Sequence, residues 1–357
     1  MFVALRDIRF AKGRFALMGA VVTLITTLVV FLYGLTGGLA SAASSTIAEL
    51  PADRIVFGAP AGAAATVSFS NSTVSPEQAA ALAAAPGVKS AQPLGISMTR
   101  LTGSEAAASV SVVGAPGALL PPLESGAYPA DGQVAVGSDA AEEYHLTVGQ
   151  QVKLGPVQVT VSGITAPRSY SHAPSVWTTV PIWERVSGQT QPTALALDVT
   201  GGAGLSAVDA AQGTETVPLS DALAGINGYS AEQGSLQMIQ GFLFAVSALV
   251  VGAFFTVWTV QRKPDIAVLK AVGASSAYLV RDALAQAAAV LLAGALLGGL
   301  LGGVGGLFAA SAVPFDVSFL SVFVPVTAMV LLGLLGAVLA VRRITSVDPL
   351  AALGANR

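Results

Sequence analysis

Four apolar stretches, each long enough to cross a bilayer, decide most of what this chain can become. Residues 15–35, 236–260, 284–312 and 322–341 contain no Asp, Glu, Lys or Arg, and a crossing needs roughly 20 such residues. Backbone inside hydrocarbon must satisfy its own hydrogen bonds, so each stretch is expected as a helix. The chain is 53% hydrophobic and only 10% charged, with a mean hydropathy of +0.71, which excludes a soluble domain of 357 residues. The net charge of -3 says little, because the signs are segregated along the chain. There is no cysteine, so disulfide staples and thiolate metal sites are excluded.

The charge islands orient the spans. Basic clusters at residues 6–14, 262–281 and 342–343 belong inside by the positive-inside rule. Residues 1–14, where Leu5, Ile8 and Phe10 alternate with Arg6, Asp7, Arg9 and Lys12, read as an interfacial amphipathic helix. A cleaved signal peptide competes for the first span, with Ala40, Ser41 and Ala42 as its cleavage site. The apolar run exceeds the about 7–15 residues of a signal core, which favours a retained span over residues 15–43.

Between the first two spans, residues 44–230 change character to short alternating strands, Pro/Gly turns and one clear helix. Ser75, Pro76 and Glu77 start that helix, and Gly87 after Pro86 ends it. Strand patterns follow around residues 96–101, 110–114, 133–136 and 152–164. An α+β domain is expected here, and its acidic excess fits the outer side. The second span is set at residues 231–261, a cytoplasmic segment at 262–283 and the third span at 284–312. An external loop at 313–321, the fourth span at 322–341 and a cytoplasmic tail at 342–357 complete the expected order. The fold class is thus a four-helix membrane protein with an extracellular α+β domain inserted between helices 1 and 2.

The densest run of charge, residues 261–284, lies between two spans. Ile266, Val268, Leu269 and Val272 share a helical face, Arg262, Lys263, Asp265 and Lys270 lie mostly off it, and Gly273 stops the helix. Taken alone, this is an amphipathic helix on a membrane surface. The run Lys263, Asp265, Ile266, Leu269, Lys270, Gly273, Ala274 resembles the coupling segment of FtsX-like ABC transporter permeases, the MacB or type VII family. The tail Arg342, Arg343, with Asp348, Pro349, Ala352 and Leu353 following, is similar to that family's second signature. The resemblance implies that Arg262, Asp265, Ile266, Leu269, Lys270 and Gly273 meet a separate ATPase that holds ATP and Mg. No internal repeat is present, so a homodimer would supply the symmetry.

No Walker A pattern occurs, so an enzyme with its own ATPase site is not expected, and neither is an intrinsic cofactor or a nucleic-acid partner. His145 and His172 are the only histidines; each reads as a surface or packed residue rather than a metal ligand. In the third span Gly294, Gly298, Gly302 and Gly306 recur every fourth residue, either as close packing within one subunit or as a sliding or dimer surface. Gly34 and Gly38 form a weaker version in the first span.

Tyr229, Glu232, Gln233, Gln237, Met238 and Gln240 gather where the second span begins, and Tyr33 sits at comparable depth in the first. A carboxylate this close to hydrocarbon is costly without a partner. The bland interpretation is an interfacial belt of polar and aromatic groups. The functional one is a substrate site, since phenolate, carboxylate and thioether can each ligate haem iron. The four-span form and the opening residues Leu5 to Phe10 resemble haem-exporting HrtB-type permeases, which makes Tyr33, Tyr229, Glu232 and Met238 the candidate haem contacts. Two alternatives stay open: an FtsX-like transmitter of ATP-driven motion to an extracellular partner, and an exporter of peptides, antibiotics or lipoproteins. The resemblance implies a multi-pass protein of the bacterial cell membrane with both termini cytoplasmic.

Overall fold

The computed structural model describes residues 12–60, 62–103, 106–201, 204–261, 268, 270 and 272–342. Four helices in it are long and apolar enough to cross a membrane: Lys12–Ala48, Tyr229–Gln261, Ser276–Ala309 and Phe319–Arg342. They outrun the apolar stretches because hydropathy marks only the part that sits in hydrocarbon. The third helix, for example, starts at Ser276 rather than 284, after Ser275 accepts a hydrogen bond from the Tyr278 N–H. The first runs on to Ala48 rather than 43, because its last turns are built into the extracellular domain.

The chain divides into two compact units, residues 1–38 with 235–357 and residues 39–234. In the helical unit the glycine stripe packs inside the chain. A Cβ on Gly294 would lie 2.9 Å from Val22 Cβ, one on Gly298 2.6 Å from the Thr23 carbonyl oxygen, and one on Gly302 2.8 Å from Val30. The Thr27 hydroxyl, which the close approach brings within reach, donates to the Gly298 carbonyl oxygen at 3.2 Å. Gly299 meets Val326 of the fourth helix, and Gly336 of that helix meets the backbone of Gly252 in the second. These stripe glycines therefore join helices of one subunit, and the dimer-surface reading of them is set aside. Large side chains collect where the first helix begins and the second ends, with Phe15 and Phe255 both packing edge-on against Trp258.

The second unit is the expected α+β domain. Its strands are β1 (Arg54–Phe57), β2 (Val88–Thr102), β3 (Ala107–Gly114), β4 (Leu123–Gly126), β5 (Gln133–Gly137) and β6 (Gln151–Leu154). They continue as β7 (Val157–Thr165), β8 (Ser169–Tyr170), β9 (Ala173–Thr178), β10 (Ala194–Val199) and β11 (Glu215–Pro218). They form one sheet in the order β11-β1-β10-β2-β3-β9-β5-β7-β4, with β6 bridging β2 and β7 and β8 pairing with β9. The expected strand over 152–164 is the hairpin β6–β7, turned at Gly155 with φ +57°. The expected helix spans Pro76–Ala83 and starts on a full capping box between Ser75 and Gln78.

Further short helices were not legible. Val180–Ser187 is one, and it buries Ile182, Trp183 and Val186. At eight residues it is too short for a period to stand out in the sequence. Trp183 lies across Gly95 of β2 and Gly114 of β3, where any Cβ would overlap the indole. Those two glycines thus make a flat seat for the largest side chain of the core.

Candidate functional site

The site is built within the extracellular domain, around residues 42–49 and 229–232 near the two ends of its stretch of chain. Residues 42–49 of the first helix are fastened there by a hairpin. The β8–β9 turn consists of Ser171 and His172, both left-handed with φ +51° and +61°. That is the backbone of a two-residue type I′ turn, which usually takes Asn-Gly. Left-handed backbone costs a residue with a Cβ about 1–2 kcal/mol, so something must offset it. The Ser171 N–H donates to the Ala43 carbonyl oxygen at 2.8 Å and the His172 N–H to that of Ala42 at 3.0 Å.

Side chains extend the joint. The Ser169 N–H donates to Ser45 Oγ at 2.9 Å, and Arg168 pairs with Glu49 at 2.7 Å. Thr46 is hydrogen-bonded to Ser175, which bonds Ser111 at 2.7 Å, and all three hydroxyls are buried. Ile47 is 0% exposed in the domain core. The end of the first helix is thus a core element of the domain, held by apolar burial and by a chain of hydroxyls.

Glu232 stands in the first turn of the second helix, and His172 reaches it: Nε2 and Oε2 are 3.0 Å apart. The carboxylate thereby gains the partner its position demands. The turn therefore touches both helices, through its backbone on the first and its imidazole on the second. Sequence reasoning missed His172 because its partner is 60 residues away. The only local signal was a histidine in a two-residue turn between short strands.

The other candidates are distributed differently. Tyr229 packs its ring against the domain core formed by Ile47, Phe57, Ile226 and their neighbours. Tyr33 is half-buried in the first helix, beside Gly34. Met238 lies six residues beyond Glu232 along the second helix and is 64% exposed. Among these four, only Glu232 makes a side-chain hydrogen bond or ion pair with another described residue. An apolar groove of about 580 Å³ between the first and third helices is lined by Ala16, Gly19, Thr23, Thr27 and Leu297 among others. None of the four lines it.

Burial pushes the Tyr170 phenol, next to the turn, up to about 12, so it stands there as a neutral hydroxyl rather than a phenolate. Of the coupling residues, Arg262, Asp265, Ile266 and Leu269 lie outside the described residues. Lys270 and Gly273 lie within them. Gly273 has φ +102° and donates its N–H to the Lys270 carbonyl oxygen at 3.0 Å, ending a helical turn as expected. Val268 and Val272, on the expected apolar face, are 56% and 84% exposed.

Comparison with known proteins gives the family of the chain. A model of the MacB-like periplasmic core domain matches residues 15–212, and one of the FtsX-like permease C-terminal region matches residues 238–349. A Staphylococcus haemolyticus protein with the provisional name of hemin transport system permease HrtB is 25% identical over 99% of both chains. An uncharacterized ABC transporter permease of Mycobacterium tuberculosis is 28% identical over 99% of both. The extracellular domain of the noncanonic ABC-type transporter YknZ covers 46% of this chain and 98% of its own, with 11% identity and a TM-score of 0.36. Since the MacB-like match alone spans more than half of the chain and the FtsX-like match takes in the later helices, the chain belongs to the FtsX/MacB-type ABC transporter permeases.

Proposed function

We propose that two copies of this chain, each with a separate ATPase subunit, form an exporter that expels a hydrophobic molecule from the membrane, and that the molecule is haem. The observation that carries the substrate is a full-length likeness to proteins provisionally named for hemin transport. Supporting it is the paired Glu232 and His172 at the mouth of the second helix, with Tyr33, Tyr229 and Met238 as further contacts. Imidazole, phenol and thioether are all known axial ligands of haem iron, and apolar burial of the macrocycle would supply most of the affinity. The exposed Val268 and Val272, with Ile266 and Leu269 beside them in sequence, suit a face that docks on the ATPase. In this reading both termini are cytoplasmic.

Two experiments test it. The protein purified from haem-fed cells should carry a Soret band, and Glu232→Ala with Met238→Ala should shift or remove it while basal ATPase activity of the complex persists. An unchanged band moves the site elsewhere, and no band in the wild type removes haem as substrate. For orientation, Ser138→Cys should react with an impermeant thiol reagent on whole cells and Ser275→Cys should not; the reverse pattern inverts the topology. A second reading, a transmitter of ATP-driven motion to an extracellular partner, is favoured by the way residues 42–49 are bonded into the domain. Co-purification of a secreted protein in place of pigment would select it.

A further inference from the structure

The first helix carries three glycines within five residues, Gly34, Gly37 and Gly38. Its contacts pass from the helical unit to the extracellular domain between Gly38 and Leu39. The second helix makes the same change between Gly234 and Ser235. Each interior glycine weakens a helix by about 1 kcal/mol relative to alanine. Thr36 adds a bond from its hydroxyl back to the Leu32 carbonyl oxygen at 2.8 Å, a contact that often bends helices. Beyond this stretch, residues 42–49 are fixed in the domain; before it, Val22, Thr26 and Val30 are fixed against the third-helix glycines. Bending concentrates in a weak stretch between two fastened ones.

The notch left by the glycines is filled by three residues of the connection between the third and fourth helices. The Phe315 ring sits against Gly34 and Gly306, where a Cβ would overlap it, and its centroid is 5.1 Å from that of Phe31. The Asp316 N–H donates to the Gly34 carbonyl oxygen at 2.9 Å. The Pro314 carbonyl rests on Gly38, and Asp316 Cβ lies 3.0 Å from where a Cβ on Gly37 would be. The connection is itself braced, since Ser318 Oγ donates to the Asp316 carboxylate and Ser321 Oγ to the Asp316 carbonyl oxygen.

From this juxtaposition we infer that residues 314–316 are a latch on a hinge at Gly34–Gly38. Seated, they fill the notch and brace the helix there. Withdrawn, they let it bend, and the bend displaces the segment that is locked into the extracellular domain. The inference rests on the chain working as the membrane subunit of an ATP-driven complex and is independent of the substrate. Nucleotide on the ATPase is the ligand that shifts the latch between its two states.

The absence of native cysteine allows a direct test. Gly37→Cys with Asp316→Cys puts two Cβ atoms 3.0 Å apart, so the pair must open by a few tenths of an ångström to reach the about 3.5–4.5 Å of a disulfide. Val30→Cys with Gly302→Cys is the control across the rigid part of the bundle. Both are oxidised in vesicles holding the chain with its ATPase, first without nucleotide and then with ATP trapped by vanadate. The latch link should form without nucleotide and fall roughly tenfold when nucleotide is trapped, as a shift to a previously minor state requires, while the control is unchanged. Equal latch yields in both states, or none in either, overturn the inference. Trapped nucleotide is counted in the same vesicles: a complex that traps nucleotide without changing the link refutes the latch alone, and one that traps none refutes the coupling beneath it. Should the double variant fail to accumulate, Phe315→Cys gives a second readout. Its labelling by a permeant maleimide should rise with trapped nucleotide, and constant labelling overturns the inference as well.

Discussion

In the extracellular domain Trp177 and Trp183 are 1% and 0% exposed, whereas in the helical unit helices come close to one another at glycines such as Gly294, Gly298, Gly302 and Gly336. The difference follows from the solvent each unit displaces. Water rewards the domain for hiding large apolar side chains. Lipid offers no such reward, so helices associate by close backbone packing and a few hydrogen bonds, such as that from Thr27 to the Gly298 carbonyl oxygen. Glycine has opposite roles in the two units. In the domain Gly95 and Gly114 make room for an indole, and in the bundle glycines make room for another helix.

If that contrast is right, the largest loss comes from deleting a domain side chain. Trp183→Ala should cost about 3–5 kcal/mol, read as a lower Tm and faster proteolysis of the domain in the detergent-solubilised full chain. A Tm within error of wild type would break the comparison from the domain side. The next largest effect comes from adding atoms in the bundle. Gly298→Val should cost about 1–3 kcal/mol by overpacking, whereas Gly305→Ala, with nothing within 4 Å of its Cβ, should leave stability in detergent unchanged. Equal losses from the two would show that glycine content, not the helix seat, is what matters.

The smallest effect is a pH dependence confined to the domain. The Tyr170 phenol is raised from about 10 to about 12 by burial. Between those values the folded state keeps a proton that the unfolded state releases, so stability falls as pH rises through them. Tyr170→Phe should match wild type at pH 7 and resist unfolding better between pH 10 and 12. Parallel alkaline melting of the two proteins would mean that the ring is not buried as described.

The four helices were legible because hydrocarbon demands long uncharged runs, and the Ser75 cap because its chemistry is local. The end of the first helix was not, since Ser44, Ser45 and Thr46 look like a polar exit from the membrane. In the fold the Ser45 and Thr46 hydroxyls bond to Ser169 and Ser175 of the domain, and that of Ser44 donates back to the Ala40 carbonyl oxygen of its own helix. Glu232 stood out as a carboxylate near an apolar run, but its pairing with His172 depends on a hairpin that closes far away in sequence. The glycine stripe was visible as a pattern, while the choice between an internal and an external partner rested on where Val22 and Thr26 came to lie.

The central claim, an ATP-driven permease that clears haem from the membrane, is met most directly by following haem in vesicles that hold the chain and its ATPase. Adding ATP should release membrane haem from wild-type vesicles. Leu269→Asp, which puts a charge on the expected docking face, should abolish that release while the protein remains inserted. No ATP-dependent loss in the wild type, or equal loss with Leu269→Asp, would contradict the account.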